Sequence, residues 1–158
     1  MDGYNLIGIY HNDLREQREK LIRQLITYNK TKGHEITVVF DGWKSGSCKE
    51  EHLSTGGIKV IYSRLGEKAD SVIKKIITSV KREWIVISSD REIMACAWAC
   101  GSVPVSSSEF HSLLDYTGES FGGEYYVSDV ETPGECKKGN PKRLSKKQKA
   151  LIRALRKL

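Results

Sequence analysis

Blocks of apolar residues recur along this chain with two different spacings. Between residues 12 and 30, Leu14, Leu21, Ile22, Leu25 and Ile26 fall mostly on one face of a helical projection, with charges on the other. That spacing predicts an amphipathic helix, with Gly33 as its stop. Glu35 to Phe40 reads Glu-Ile-Thr-Val-Val-Phe, a β-branched run suited to a buried strand. Residues 41 to 57 are polar and glycine-containing and read as a long loop, and Ile58 to Tyr62 as a short strand. Ala69 to Lys81 forms a second amphipathic helix, with Val72, Ile73, Ile76, Ile77 and Val80 on its apolar face. Trp84 to Ser88 is another buried strand, Arg91 to Ala99 a helix, and Val103 to Val105 a short strand. Ser106 with Glu109 fits a capping box opening a helix to about Tyr116. Strands alternating with helices predict an α/β fold whose parallel sheet is covered on both faces.

The pattern changes after residue 116. Residues 117 to 141 are richer in Gly and Pro and read as a linker, with a short strand at Glu124 to Val127. Ser145 with Gln148 is a second capping box. The helix it opens, within residues 142 to 158, places Leu151, Ile152, Leu155 and Leu158 on one face. Three parts follow: a folded domain over 1–116, a linker over 117–141 and a terminal helix.

Charge makes that terminal helix informative. The whole chain of 158 residues carries +6. Ten Lys or Arg and no Asp or Glu lie between Lys137 and Leu158, so the first 136 residues net −4. A basic tail on a mildly acidic body points to an anionic partner such as RNA, DNA or a membrane surface. An amphipathic helix without aromatic residues is a weak membrane anchor, which favours nucleic acid. No apolar run reaches the roughly 20 residues that span a bilayer, and the N-terminus has no signal-peptide pattern. A cytoplasmic protein is expected. Cys48, Cys96, Cys100 and Cys136 form no Cys-x2-Cys knuckle, so they read as buried or idle thiols rather than zinc ligands.

In an open parallel sheet, ligands bind beyond the carboxyl ends of the strands. Asp41 follows the strand ending at Phe40, and Asp90 follows Ser88 and Ser89. Asp2 stands ahead of the first helix, and Asp70 lies in the first turn of the second helix. Four carboxylates are therefore expected at one rim, with Glu67 near enough to join. Close carboxylates repel; Mg2+ or Mn2+, which favour oxygen ligands, remove that conflict and support phosphodiester hydrolysis. Each residue also has a structural explanation: turns for the two Asp-Gly pairs, a helix start for Asp70, an N-cap for Asp90. Asn5 suits holding a phosphate, a water or a neighbouring carboxylate. Trp43 and Lys44, and Arg64 beyond the next strand, fit base stacking and phosphate contact, as do Lys142, Arg143, Lys146 and Lys147 of the tail. No phosphate-binding Gly-rich motif or serine-nucleophile elbow occurs.

Four segments in order, Asp-Gly-Tyr-Asn-Leu-Ile (2–7), Val-Val-Phe-Asp-Gly (38–42), Gly-Glu-Lys-Ala-Asp-Ser-Val-Ile (66–73) and Ile-Ser-Ser-Asp-Arg-Glu (87–92), resemble the YacP-like branch of the NYN domains, in the PIN-like nuclease superfamily. The resemblance covers about residues 1 to 116. It implies an α/β/α sandwich with a central parallel sheet, an acidic cluster binding Mg2+ or Mn2+, and endonucleolytic cleavage of RNA. It implies catalytic roles for Asp2, Asn5, Asp41, Asp70 and Asp90, the four carboxylates being metal ligands. The alternatives are a non-catalytic RNA- or ribosome-binding module and a structure-specific DNA nuclease on the same fold. The family's first strand precedes Asp-Gly-Tyr-Asn; here only Met1 does. Either the given start lies too late or the first strand is nearly absent; a natural start a few residues upstream is expected.

Overall fold

The computed structural model describes residues 1–7, 14–42, 49–80, 82–116 and 145–158, with only the backbone of Asp115 and Tyr116. The remaining predictions, among them the linker over 117–141, its strand at 124–127, Trp43, Lys44, Cys48, Cys136, Lys142 and Arg143, lie outside the described residues.

The elements run α1 (Gly3–Ile7), α2 (Leu14–Lys32), β1 (Ile36–Phe40), β2 (Glu51–Thr55), β3 (Ile58–Tyr62), α3 (Ala69–Ser79), β4 (Ile85–Ile87), α4 (Arg91–Ala99), β5 (Val103–Val105), α5 (Ser107–Tyr116) and α6 (Lys146–Lys157). β1 pairs with β3 in parallel, Phe40 opposite Tyr62, and β4 pairs with β5 in parallel. The sheet departs from the continuous parallel one expected. β2 joins β3 antiparallel, so the larger sheet is mixed, in the order β1-β3-β2. β2 falls within the expected loop because all five of its side chains are exposed, which leaves no apolar alternation to detect.

Among the described residues, the backbones of Met1 and Asp2 join the two sheets by hydrogen bonds. The Asp2 amide donates to the Ile87 carbonyl at 3.0 Å, and the Val39 amide donates to the Met1 carbonyl at 2.9 Å. Asp2 thus bridges to Val39 in the parallel sense. These two residues bond to β1 on one side and to β4 on the other, the position that the family resemblance gives to the first strand.

Side-chain alternation sends residues to two cores. Ile36, Val38 and Phe40 pack with residues of α1, α2, α5 and α6. Val39, Ile61 and Val86 pack with Ala69, Val72, Ile73 and Ile77 of α3 and with Ile93 and Ala97 of α4. Both predicted capping boxes form. The Ser106 amide donates to Glu109 Oε2 at 2.8 Å and the Glu109 amide to Ser106 Oγ at 3.2 Å. Ser145 and Gln148 exchange the equivalent bonds at the start of α6.

The basic helix α6 docks on the body. Ala154 and Leu158 are buried in the first core, with Ala150, Leu151 and Leu155 packed against it. Tyr28 donates its hydroxyl proton to the Leu158 carbonyl, and His34 Nε2 lies 2.8 Å from the Lys157 carbonyl. Among the described residues no helix is long and apolar enough to cross a membrane.

Candidate active site at the carboxyl ends of the strands

Asp2, only 5% exposed, is fixed by its backbone bonds and by Asn5, one turn later. The Asn5 amide donates to Asp2 Oδ1 at 3.1 Å, and Asn5 Nδ2 donates to Asp2 Oδ2 at 3.0 Å. Both carboxylate oxygens are thereby oriented without an added charge. Asn5 Nδ2 also reaches Ser88 Oγ at 3.5 Å. Ser88 is fully buried and accepts from the Asp90 amide at 3.1 Å. A continuous polar chain therefore joins Asp2, Asn5, Ser88 and Asp90 across the junction of the sheets.

Asp41 and Asp90 each anchor a helix start, where unpaired backbone N–H groups favour a carboxylate. Asp41 Oδ1 accepts from the Ala69 amide at 2.5 Å, capping α3 from the end of β1. Asp90 Oδ1 accepts from the Glu92 and Ile93 amides at 2.8 and 3.0 Å, capping α4. The capping role expected for Asp90 is real, and it occupies one oxygen. Among the hydrogen bonds of the described residues, Oδ2 of Asp41 and of Asp90 is unused.

Asp70 follows Ala69 in the first turn of α3. Burial raises its carboxyl above the usual carboxylate range, and the charges of Asp2, Asp90 and Asp41 push it further the same way, with Lys74 opposing. Carboxylates from three other segments thus act on Asp70. A group whose folded pKa is raised adds stability below its unfolded pKa, and that contribution is lost as pH rises through the folded value. Without divalent metal, Asp70→Asn is expected to raise the melting temperature at pH 7, with the gain shrinking towards pH 4. Thermal scans in EDTA across that range check it.

The donor set suits a hard divalent cation, since every candidate ligand is a carboxylate oxygen. Among the described residues, no three His, Cys, Asp or Glu side chains already stand close enough together to hold an ion. Glu67 is engaged elsewhere, 3.1 Å from Arg64 Nε and 2.5 Å from Lys75 Nζ. The Lys75 hydrogen bond is the largest influence holding its carboxyl below the usual range. Arg64, exposed at the start of the same turn, spends its charge on Glu67. Lys146 and Lys147 are exposed on α6, and Lys147 Nζ lies 5.6 Å from the ring centre of Trp98. Trp98 is eight residues past Asp90, about 12 Å along the helix. The basic helix therefore lies away from the carboxylates. Cys96 and Cys100 are both free thiols.

Ser88 and Ser63 are site residues that the sequence reading does not single out. Ser63, also buried, accepts from the Gly42 amide at 3.0 Å and donates to the Glu67 carbonyl at 2.5 Å, tying the Asp41 turn to the loop before α3. Each serine immediately follows a predicted strand or closes one, which is the available signal.

The family model described as "YacP-like NYN domain" matches residues 1–157. Two crystal structures of Rae1 (YacP) from Bacillus subtilis, one of them a W164L mutant, are similar in fold. Each is 24% identical with a TM-score of 0.58 and covers 74% of this chain. The match covers 73% of the mutant's chain and 72% of the other. No curated protein matches this chain.

Proposed function

This chain belongs to the YacP-like NYN domain family, and on that premise we propose that it is a metal-dependent endoribonuclease cleaving RNA phosphodiester bonds at the Asp2, Asp41, Asp70 and Asp90 rim. What supports this reading is that Asp2, Asp41 and Asp90, from three other segments, all lie near enough to Asp70 to push its carboxyl up.

Mg2+ or Mn2+ held by these carboxylates would lower the pKa of a bound water and neutralise charge on the phosphodiester. The chain's own residues set the stage. Asn5 holds the Asp2 carboxylate in one orientation. The Ala69 amide, and those of Glu92 and Ile93, fix Asp41 and Asp90 by one oxygen each, so that the other would be available to a cation. Asp70 retains its proton to higher pH than an ordinary aspartate, so cation binding must release it. Mn2+ affinity is therefore expected to weaken as pH falls through the Asp70 titration. Removing an orienting partner of a ligand typically costs 10–100-fold in metal affinity. Asn5→Ala is expected to weaken Mn2+ binding by about that factor, measured by calorimetric titration.

RNA is the proposed substrate, with the exposed cations of α6 supplying affinity rather than sequence choice. Each phosphate neutralised on a single strand adds about −0.7 to the log–log salt slope. The reading is tested by incubating labelled single-stranded RNA with the protein in Mn2+, Mg2+ or EDTA, with single-stranded DNA and a flapped duplex as competitors. Cleavage of RNA in metal and none in EDTA is expected. Preference for the flapped duplex would make it a DNA nuclease. The lack of a ready-made three-carboxylate group among the described residues favours a second reading, a non-catalytic RNA- or ribosome-binding module. Metal-independent RNA binding without cleavage would establish that one.

A further inference from the structure

A cation without an acidic partner among the described residues lies over the end of β3. Arg15 and Arg23 of α2 both pair with Glu19, at 3.4 and 3.8 Å. Arg18, between them, makes no ion pair among the described residues. Its guanidinium instead lies 5.7 Å from the ring centre of Tyr62, within cation–π range. Tyr62 ends β3 opposite Phe40 and stacks on it, with ring centres 5.7 Å apart and planes 23° apart. Tyr4 meets the same Phe40 edge-on at 5.5 Å, and its hydroxyl is buried without a hydrogen bond of proper geometry. Arg18, Asp41 and Tyr62 all act electrostatically on that hydroxyl. The next residue after Phe40 is Asp41. An aromatic scaffold thus holds one guanidinium at the end of β1 and β3, the end from which Asp41 follows.

We propose that Arg18 contacts a phosphate of the RNA strand beside Asp41, and that the Tyr62 ring is a positioning residue that holds the guanidinium for it. The inference rests on the RNA-cleaving reading of the site. The chemistry suits the role: a planar, permanently charged fork recognises phosphate in two-point fashion, and near an acidic rim a strand needs a local cation to approach. An Arg used only for helix packing would show no dependence of its contribution on salt.

The test is binding of a labelled single-stranded RNA 12-mer by the full chain, in EDTA, across a salt series. Arg18→Gln is expected to weaken binding about tenfold and to flatten the log–log salt slope by about 0.7, one phosphate contact. Arg18→Lys should keep the slope and lose part of the affinity. Tyr62→Phe should bind as the unaltered chain does, and Tyr62→Leu should bind less well. Arg18→Met, which keeps the aliphatic stem, repeats the comparison if the Gln variant melts early. An unchanged slope in Arg18→Gln, with or without lost affinity, overturns the proposal, as does absence of RNA binding by the unaltered chain. The two readings fail separately. Metal-dependent cleavage with an unchanged Arg18→Gln slope removes the Arg18 contact and keeps the nuclease. A flattened slope in a chain that never cleaves removes the nuclease and keeps the contact.

Discussion

Asp70→Asn is expected to slow Mn2+-dependent RNA cleavage by about a thousandfold, since a metal supplies several kcal/mol of transition-state stabilisation and each ~1.4 kcal/mol is a factor of ten. The substitution keeps the shape of the side chain and removes its charge. Asp70 is the carboxyl on which Asp2, Asp90 and Asp41 all act, so its loss removes one of the four proposed metal ligands. It makes no capping bond that the fold depends on; α3 is capped from outside by Asp41. The same change that stops cleavage should leave the protein folded and, in EDTA at pH 7, more heat-stable. A variant inactive because it unfolds would show the opposite shift. Single-turnover rates alongside thermal scans separate the two.

Gly42→Ala is expected to be the most damaging small substitution near the site. A Cβ at this position would stand 1.6 Å from the Ser63 carbonyl oxygen and 2.8 Å from its carbon. The obstacle is backbone, held in place by the Ser63 amide bond to the Phe40 carbonyl at 3.0 Å. The Gly42 amide is itself bonded to Ser63 Oγ, so the turn after Asp41 has little room to shift. A loss of about 3–4 kcal/mol is expected, lowering the melting temperature by roughly 10 °C in a domain of this size. Gly33→Ala is the comparison. Gly33 has a φ of +68°, but a methyl group added there would meet no atom within 4 Å, so strain alone should cost about 1–2 kcal/mol. Cleavage should fall with Gly42→Ala, through the displaced Asp41, and hold with Gly33→Ala.

Most of the helices and buried strands can be read directly from spacing, because their apolar residues face one core or two. Ile58–Tyr62, Arg91–Ala99 and Val103–Val105 occupy the expected residues. β2 is hidden because a strand with five exposed side chains is held by its backbone ladder to β3, and a ladder leaves no hydrophobic trace. The junction of the sheets at Met1 and Asp2 has no apolar run that marks it. The backbone bonds of Met1 and Asp2 to both neighbouring strands depend on long-range pairing that local spacing does not encode. For the site, the rule that ligands gather beyond strand ends places the carboxylates in one region, as their influence on Asp70 reflects. It also admits Glu67, which the fold pairs with Lys75 and Arg64. Ser88, Ser63 and Arg18 escape a sequence reading because their partners lie far away along the chain: Asn5, Gly42 and Tyr62.

The most direct test of the central claim is a Mn2+ titration of the full chain and of the Asp70→Asn/Asp90→Asn double variant, by calorimetry, with single-stranded RNA cleavage followed over the same concentrations. Saturable binding by the unaltered chain, cleavage rising in step with it, and loss of both in a folded double variant are expected. RNA cleavage that persists in EDTA, or in the folded double variant, would contradict it.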